Sequence, residues 1–402
     1  MKRRLLMVVP VIALLAGCGK TDPMAEVSKS LPGDVVEVNP NQVEQGVIDE
    51  YISDAFNEMF YSLEYKAVYN LSVDLSLSLN GATEAGAFTG SARVKGDIAV
   101  GYDSVIKEEV PYSSVFLKVS GLTVESNISL PDSMKQEMPV PENISIKDVD
   151  LFAYGFESEL GAYGFVDLSN HSLQDAAKNA LVSSGFKEED INHYLDTFLG
   201  EKTQGSEYRP GLAAIDLVDL FTKIDEYRAS QGAEPASEDV LQHPITNFLA
   251  MGDAEMESIK IDFNELMEDI LPALSPVVGT KYSVESSDVV GLEKTSIVMN
   301  VNSSQVAAAM GIPENQMPIN GVAGLLLSVG IDKGSENYAL EELSLSANLS
   351  GNMEGFSFSF NGSVSLNVLY NDQATMETLS ETQMSTYRPI TDELAQLIIS
   401  LM

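Results

Sequence analysis

The sequence predicts an α+β fold: a long, curved, mostly antiparallel sheet, a half-barrel, with several amphipathic helices packed on its concave apolar face. Three observations carry that expectation. Leu71, Val73, Leu75, Leu77 and Leu79 alternate without a break with Ser72, Asp74, Ser76 and Ser78, as a strand with one apolar and one wet face must. The same design returns near the C-terminus in Leu343, Leu345, Ala347 and Leu349, then in Phe356, Phe358, Phe360, Val364, Leu366 and Val368. Between these regions lie stretches with helical apolar spacing, each needing a surface on which to bury its stripe.

Taken in order, Met1-Lys2-Arg3-Arg4 is a basic start, followed by an apolar run from Leu5 to Leu15 broken only by Pro10. That run is shorter than the ~20 residues needed to span a bilayer, and reads as a signal peptide over residues 1–17. Leu15-Ala16-Gly17-Cys18 resembles the lipobox of bacterial lipoproteins. The resemblance implies cleavage before Cys18 and lipidation of that cysteine with at least a diacylglyceryl group, and so a membrane partner reached through an acyl anchor. Cys18 is the only cysteine, which leaves the exported body without an intramolecular disulfide. Gly19 follows, with no acidic residue of the kind that retains some Gram-negative lipoproteins at the inner membrane. The expected location is the outer membrane of a Gram-negative cell, or the outer face of the cytoplasmic membrane where there is only one membrane.

From Gly19 to about Gln45, Pro23, Pro32, Gly33 and Pro40 stand among polar residues, so residues 18–46 read as a lipidated N-terminus and flexible tether. The folded body is expected over 47–402. Val47, Ile48, Tyr51, Ile52, Phe56, Met59 and Leu63 predict a first amphipathic helix. After the Leu71–Leu79 strand and the Asn80-Gly81 turn, Phe88, Ala92, Val94, Ile98, Val100 and Tyr102 continue the alternation, with Gly90 and Gly96 marking a bend or bulge. Further strands are expected at 115–124, 150–156, 163–168, 259–263, 282–285, 295–301 and 322–332.

A helical region over about 172–251 separates the strand-rich parts. Its first stripe, Leu173, Ala176, Ala177, Ala180 and Leu181, is entered at Ser172 and closed by Gly185; a second, Ile191 to Leu199, ends at Gly200; a third starts at Pro210 and carries Leu217, Val218, Phe221 and Ile224. Helices are also expected at 266–274, 303–310 and 391–401. The two serine-rich hairpins raise an internal duplication, with lobes of about 47–250 and 251–402, although serine alternation makes such strands alike by composition.

A lipobox, a tether, a short helix and the long serine-rich hairpins Leu71–Tyr102 and Leu343–Tyr370 together resemble half-barrel lipoproteins related to the Lol-type lipoprotein carriers and to the mycobacterial lipid-binding lipoproteins. That resemblance implies a curved antiparallel sheet, covered by helices, that holds an acyl chain or a whole lipid. It carries over no functional residue.

The chain has 60 acidic against 23 basic side chains and a net charge of −37; the leader contributes three of the basic ones and no acidic one. Such a balance excludes nucleic acid and disfavours anionic headgroups, since phosphate contacts need Lys and Arg. The three histidines, His171, His193 and His243, show no tight metal spacing, so neither a metal nor a cofactor is expected. Ser104-Val-Ile-Lys107 has the Ser-x-x-Lys spacing of serine acyl enzymes without their companion motifs. The absence of tryptophan lowers the expectation of a sugar site.

The informative positions are therefore apolar: Leu71, Val73, Leu75, Leu77, Leu79, Phe88, Phe356, Phe358 and Phe360. They line either a ligand groove or a core filled by the chain's own helices. The functional expectation is a non-enzymatic, membrane-anchored envelope lipoprotein that binds a lipid or other hydrophobic ligand between sheet and helices. The alternative is a structural or interaction lipoprotein with a filled core, presenting an acidic surface to an envelope protein or a cation.

Overall fold

The computed structural model describes residues 34–38, 66–83, 86–107, 110–131, 143–183, 187, 209–249, 279–286, 292–302, 313, 319–332, 337–353 and 356–402. Its strands are β1 (Asp34–Val38), β2 (Ala67–Thr83), β3 (Gly86–Lys107), β4 (Val110–Ser129), β5 (Asn143–Ser158), β6 (Gly161–Asp167), β7 (Leu212–Asp216), β8 (Gly279–Ser286), β9 (Leu292–Asn302), β10 (Ile319–Asp332), β11 (Asn337–Met353), β12 (Phe356–Tyr370) and β13 (Arg388–Pro389). The helices are α1 (His171–Ser183), α2 (Leu217–Ser230), α3 (Glu238–Gln242), α4 (Glu381–Met384) and α5 (Thr391–Leu401), with a further helical turn over 244–249.

All thirteen strands join one open sheet in the order β1-β8-β9-β10-β11-β12-β2-β3-β4-β5-β6-β7-β13. Among the described strands every pairing is antiparallel except that of β13 with β7. The N- and C-terminal hairpins meet at the β12–β2 seam, where Ala67–Gly81 is in unbroken register with Phe356–Tyr370. The expected strands at 71–79, 88–102, 115–124, 150–156, 282–285, 295–301 and 322–332 lie within observed strands, and that at 163–168 coincides with β6 but for its last residue. Gly96, expected at a bend, sits at the β3–β4 register shift.

Register explains why alternation in one strand becomes a continuous face. Leu71 stands between Leu366 and Ile98, Leu77 between Phe360 and Ala92, and Leu79 between Phe358 and Gly90. Toward β10 the same face passes through Leu345, Ala347 and Leu349 to Ala323. Toward β5 it passes from Ile98, Val100 and Tyr102 to Val119, Leu117 and Val115, then to Leu151, Ala153 and Gly155. The opposite face carries rows of small polar residues, Ser359, Ser78 and Ser91 for one, and these are exposed.

A well-filled core sits where β4 to β7 are covered on both sides. On the polar parity, Val68, Phe116, Tyr154 and Phe165 replace the serines, and the C-terminal segment lays Ala374, Met376, Leu379, Met384 and Tyr387 over them. Phe165 and Tyr387 meet edge to face at 5.3 Å, and Phe156 stacks on Phe165 at 6.1 Å. On the apolar parity Gly155 and Gly164 make room for Ile245 and for Leu217 of α2.

The described helices contact β5, β6, β7 and one another, and reach the apolar parity of the sheet where Gly155 and Gly164 leave room for Ile245 and Leu217. Three expectations are corrected. The third helix starts at Leu217, not Pro210: Pro210 and Gly211 form a turn, β7 follows, and Asp216 caps α2 by accepting from Asp219 N at 3.0 Å. Asn170, not Ser172, caps α1, accepting from Leu173 N at 2.9 Å. Within the segment read as tether, Asp34–Val38 forms a strand paired with β8, since Val35, Val36 and Val38 suit a sheet edge. The α1 and α5 helices fall at the expected places. The leader, Cys18, the helices expected at 47–63, 191–199, 266–274 and 303–310, and the strand at 259–263 lie outside the described residues.

Candidate functional site

The nine residues expected to line a groove come together on three adjacent strands, β12, β2 and β3, and share one face. Gly81 stands between Phe88 and Phe356, so the two rings close over it and stack at 6.1 Å with 26° between planes. Phe358 continues the stack, 6.1 Å from Phe356. Leu71, Val73, Leu75, Leu77 and Leu79 are half-buried, whereas Leu345 and Val100 on the same face are 44% and 42% exposed. The face thus combines apolar continuity over several strands with side chains that still reach solvent.

At its β3–β6 end the same face closes on a polar row. Ser104 is opposite Ser113, Ser113 opposite Glu157, and Glu157 opposite Ala162. The Glu157 side chain is fully buried, and Ser104 and Ser113 are 1% and 2% exposed. Three donors and the His243 ring converge on the Glu157 carboxylate. Oε1 accepts from Thr246 Oγ1 at 2.9 Å and meets His243 Nδ1 at 3.0 Å; Oε2 accepts from the backbone N of Ile245 at 3.0 Å and of Thr246 at 3.3 Å. Thr246 Oγ1 lies 2.8 Å from Ser113 Oγ, which lies 3.0 Å from Ser104 Oγ. A buried carboxylate is tolerable only with such satisfaction, and here it also ties the 244–249 turn to the sheet.

Sequence reasoning missed this cluster. Its signal was present: Leu151, Ala153, Gly155 and Glu157 share one parity, so a lone carboxylate ends an apolar row. Ser104, considered for its Ser-x-x-Lys spacing, is buried with its hydroxyl engaged by Ser113. Of the histidines, His243 joins the cluster, His171 is exposed at the start of α1, and His193 lies outside the described residues. Among the described residues no group of three or more His, Cys, Asp or Glu could hold a metal, and no helix is long and apolar enough to cross a membrane.

Elsewhere, burial raises the Tyr154 phenol above its ordinary range; burial, helped by the Asp167 charge, does the same for Tyr387. Hydrogen bonds to Asp219 and Asp392 hold the Lys223 ammonium above its usual range and join α2 to α5.

No protein-family model and no curated protein matches the chain. Among solved structures it is similar to one described as lipid–protein interactions in lipovitellin, at 8% identity and a TM-score of 0.22, over 79% of this chain and 26% of that one. The chain spans about a quarter of that protein's length, and a likeness at this score carries no argument about fold or ligand.

Proposed function

We propose that this chain is a non-enzymatic envelope lipoprotein, held at a membrane through lipidated Cys18, that binds a lipid or other hydrophobic ligand against a curved apolar sheet face. The observation that carries the reading is the register itself. From Ala323 on β10 to Gly155 on β5 the apolar positions of successive strands stand side by side, while Leu345 and Val100 among them stay open to solvent. Exposed apolar area on that scale marks a binding surface more often than a bare exterior. The lipobox-like Leu15-Ala16-Gly17-Cys18 supports the reading, since a body anchored there would stand beside a source of lipid.

Native mass spectrometry of the full chain after gentle extraction from membranes tests the reading. A bound lipid mass, lost when Leu77 is changed to Asp while the far-UV spectrum is kept, is the expected result. A protein that neither carries nor takes up any lipid overturns it and leaves the filled-core alternative.

A further inference from the structure

We propose that the end of the sheet where β5 turns into β6 dips into a zwitterionic lipid surface, with Leu160 and Phe248 as the inserted side chains. This contact is separate from an acyl anchor and from the apolar sheet face, and rests on neither.

Among the described residues these are the two most exposed large apolar side chains, at 86% and 72%. Leu160 is in the two-residue turn between Ser158 and Gly161, where Asn, Asp or Gly suits a turn that meets only water. Phe248 comes two residues after Thr246, whose Oγ1 is 2.9 Å from Glu157 Oε1, and Glu157 comes three residues before Leu160. The carboxylate thus fixes both tips at one end of the sheet. Val240, three residues before the His243 that also meets Glu157, is exposed there, as is Val105 near the end of β3. Single exposed apolar residues are ordinary; four around one end of a sheet are not.

Their arrangement selects the partner. The 244–249 turn lies on the apolar side of the sheet, where Ile245 packs at Gly155. Val105 follows Ser104 of the Glu157 row by one residue, so strand alternation puts it on the opposite side, paired with Tyr112. Leu160 stands at the tip between the two sides. A flat protein partner covers one side of such an end, whereas a fluid hydrocarbon surface closes around both. Polar groups at this end are already engaged: Ser104, Ser113, Thr246 and Glu157 bond one another, Tyr112 Oη donates to Glu159 Oε1 at 2.7 Å, and Tyr163 Oη donates to the Leu160 carbonyl at 3.3 Å. Dehydration therefore strands few of them. Glu159, exposed beside Leu160, suits the outward cationic group of a zwitterionic lipid, and a chain of net charge −37 is repelled by an anionic surface.

The full chain, purified as cells leave it, is given an environment-sensitive dye at L160C, F248C or S78C and incubated with phosphatidylcholine vesicles. Cys18 is the only native cysteine, so the unsubstituted chain treated alike supplies the background. Dye at 160 and at 248 is expected to shift to the blue and to be quenched by nitroxide lipids, while dye at 78, on the exposed serine face, stays in water. Burying one such side chain is worth about tenfold or more in partition. L160N read at 248, and F248N read at 160, should each lower the docked-to-free ratio about tenfold, whereas I144N, at the opposite end of β5, should leave it unchanged. Phosphatidylglycerol vesicles should dock the chain more weakly. L77D is expected to dock like the wild type whatever becomes of a lipid on the apolar face, so the two readings fail separately. Dye that stays in water at 160 and 248, docking that survives both asparagine variants, or tighter docking on phosphatidylglycerol overturns the proposal. A blue shift without vesicles that grows with protein concentration overturns it as well, and assigns the tip to a second copy of the chain.

Discussion

At the scale of single residues, two glycines and one carboxylate make the strictest demands. A Cβ on Gly362 would stand 2.6 Å from Leu75 Cδ2 and 2.7 Å from the Asp74 carbonyl; one on Gly101 would stand 2.2 Å from the Phe116 ring. In both places a neighbouring strand or ring has closed over the missing side chain. G362A and G101A are therefore expected to cost about 1–3 kcal/mol each, as overpacking does, read as a lower urea midpoint at unchanged slope. Gly362 has the tighter constraint, because Asp74 O and Leu75 Cα are backbone and cannot swing aside. Glu157 is constrained by chemistry instead. E157Q keeps the shape but replaces an acceptor oxygen with an NH2 group, so at least one buried donor is left facing another donor. A loss of about 2–3 kcal/mol is expected, with faster amide exchange over 244–249 than in β5. Exchange that rises equally everywhere would mean that Glu157 does not tie the turn to the sheet.

At the scale of elements, what was legible depends on how far apart the cause lies in the chain. The alternation from Leu71 to Leu79 contains its own explanation, so strand and face could both be read from nine residues. The α5 helix was legible for the same reason. Helix placement was not, because α2 sits where Gly164 leaves room for Leu217, a contact between residues far apart in sequence. Nor did one-residue alternation reveal that the wet parity of β2 becomes the core parity of β5, where Phe152, Tyr154 and Phe156 replace serine. That aromatic row supports a prediction of its own. With the folded-state pKa values of Tyr154 and Tyr387 raised, their contribution to stability is intact below about pH 10. It is lost as pH rises from there through the folded-state values, since the unfolded chain ionises first. Y154F and Y387F should each flatten the alkaline limb of a stability-against-pH curve measured by urea denaturation. An unchanged limb would show that other groups govern it.

At the scale of the whole molecule, charge and topology act together. The N- and C-terminal parts of the sheet join at the β12–β2 seam, a pairing between segments far apart in the chain, which must close a long loop before it forms. Until then a chain with 60 acidic and 23 basic side chains repels itself, and the folded state concentrates that charge further. Ion pairs such as Arg93 with Asp74, Lys118 with Glu377 and Lys147 with Glu125 lie on exposed side chains, where each is worth little. Repulsion between the surplus carboxylates therefore outweighs the exposed pairs. Added salt screens attraction and repulsion alike, shortening the Debye length from ~30 Å at 0.01 M to ~10 Å at 0.1 M, and more repulsion than attraction is there to be screened. The melting temperature is thus expected to rise as sodium chloride goes from 0.01 to 0.5 M, opposite to a fold held by surface ion pairs. Magnesium chloride at matched ionic strength separates general screening from specific binding. Equal shifts mean that screening suffices, whereas a larger shift with magnesium would show that the acidic surface holds a divalent cation, the kind of partner that the interaction reading requires.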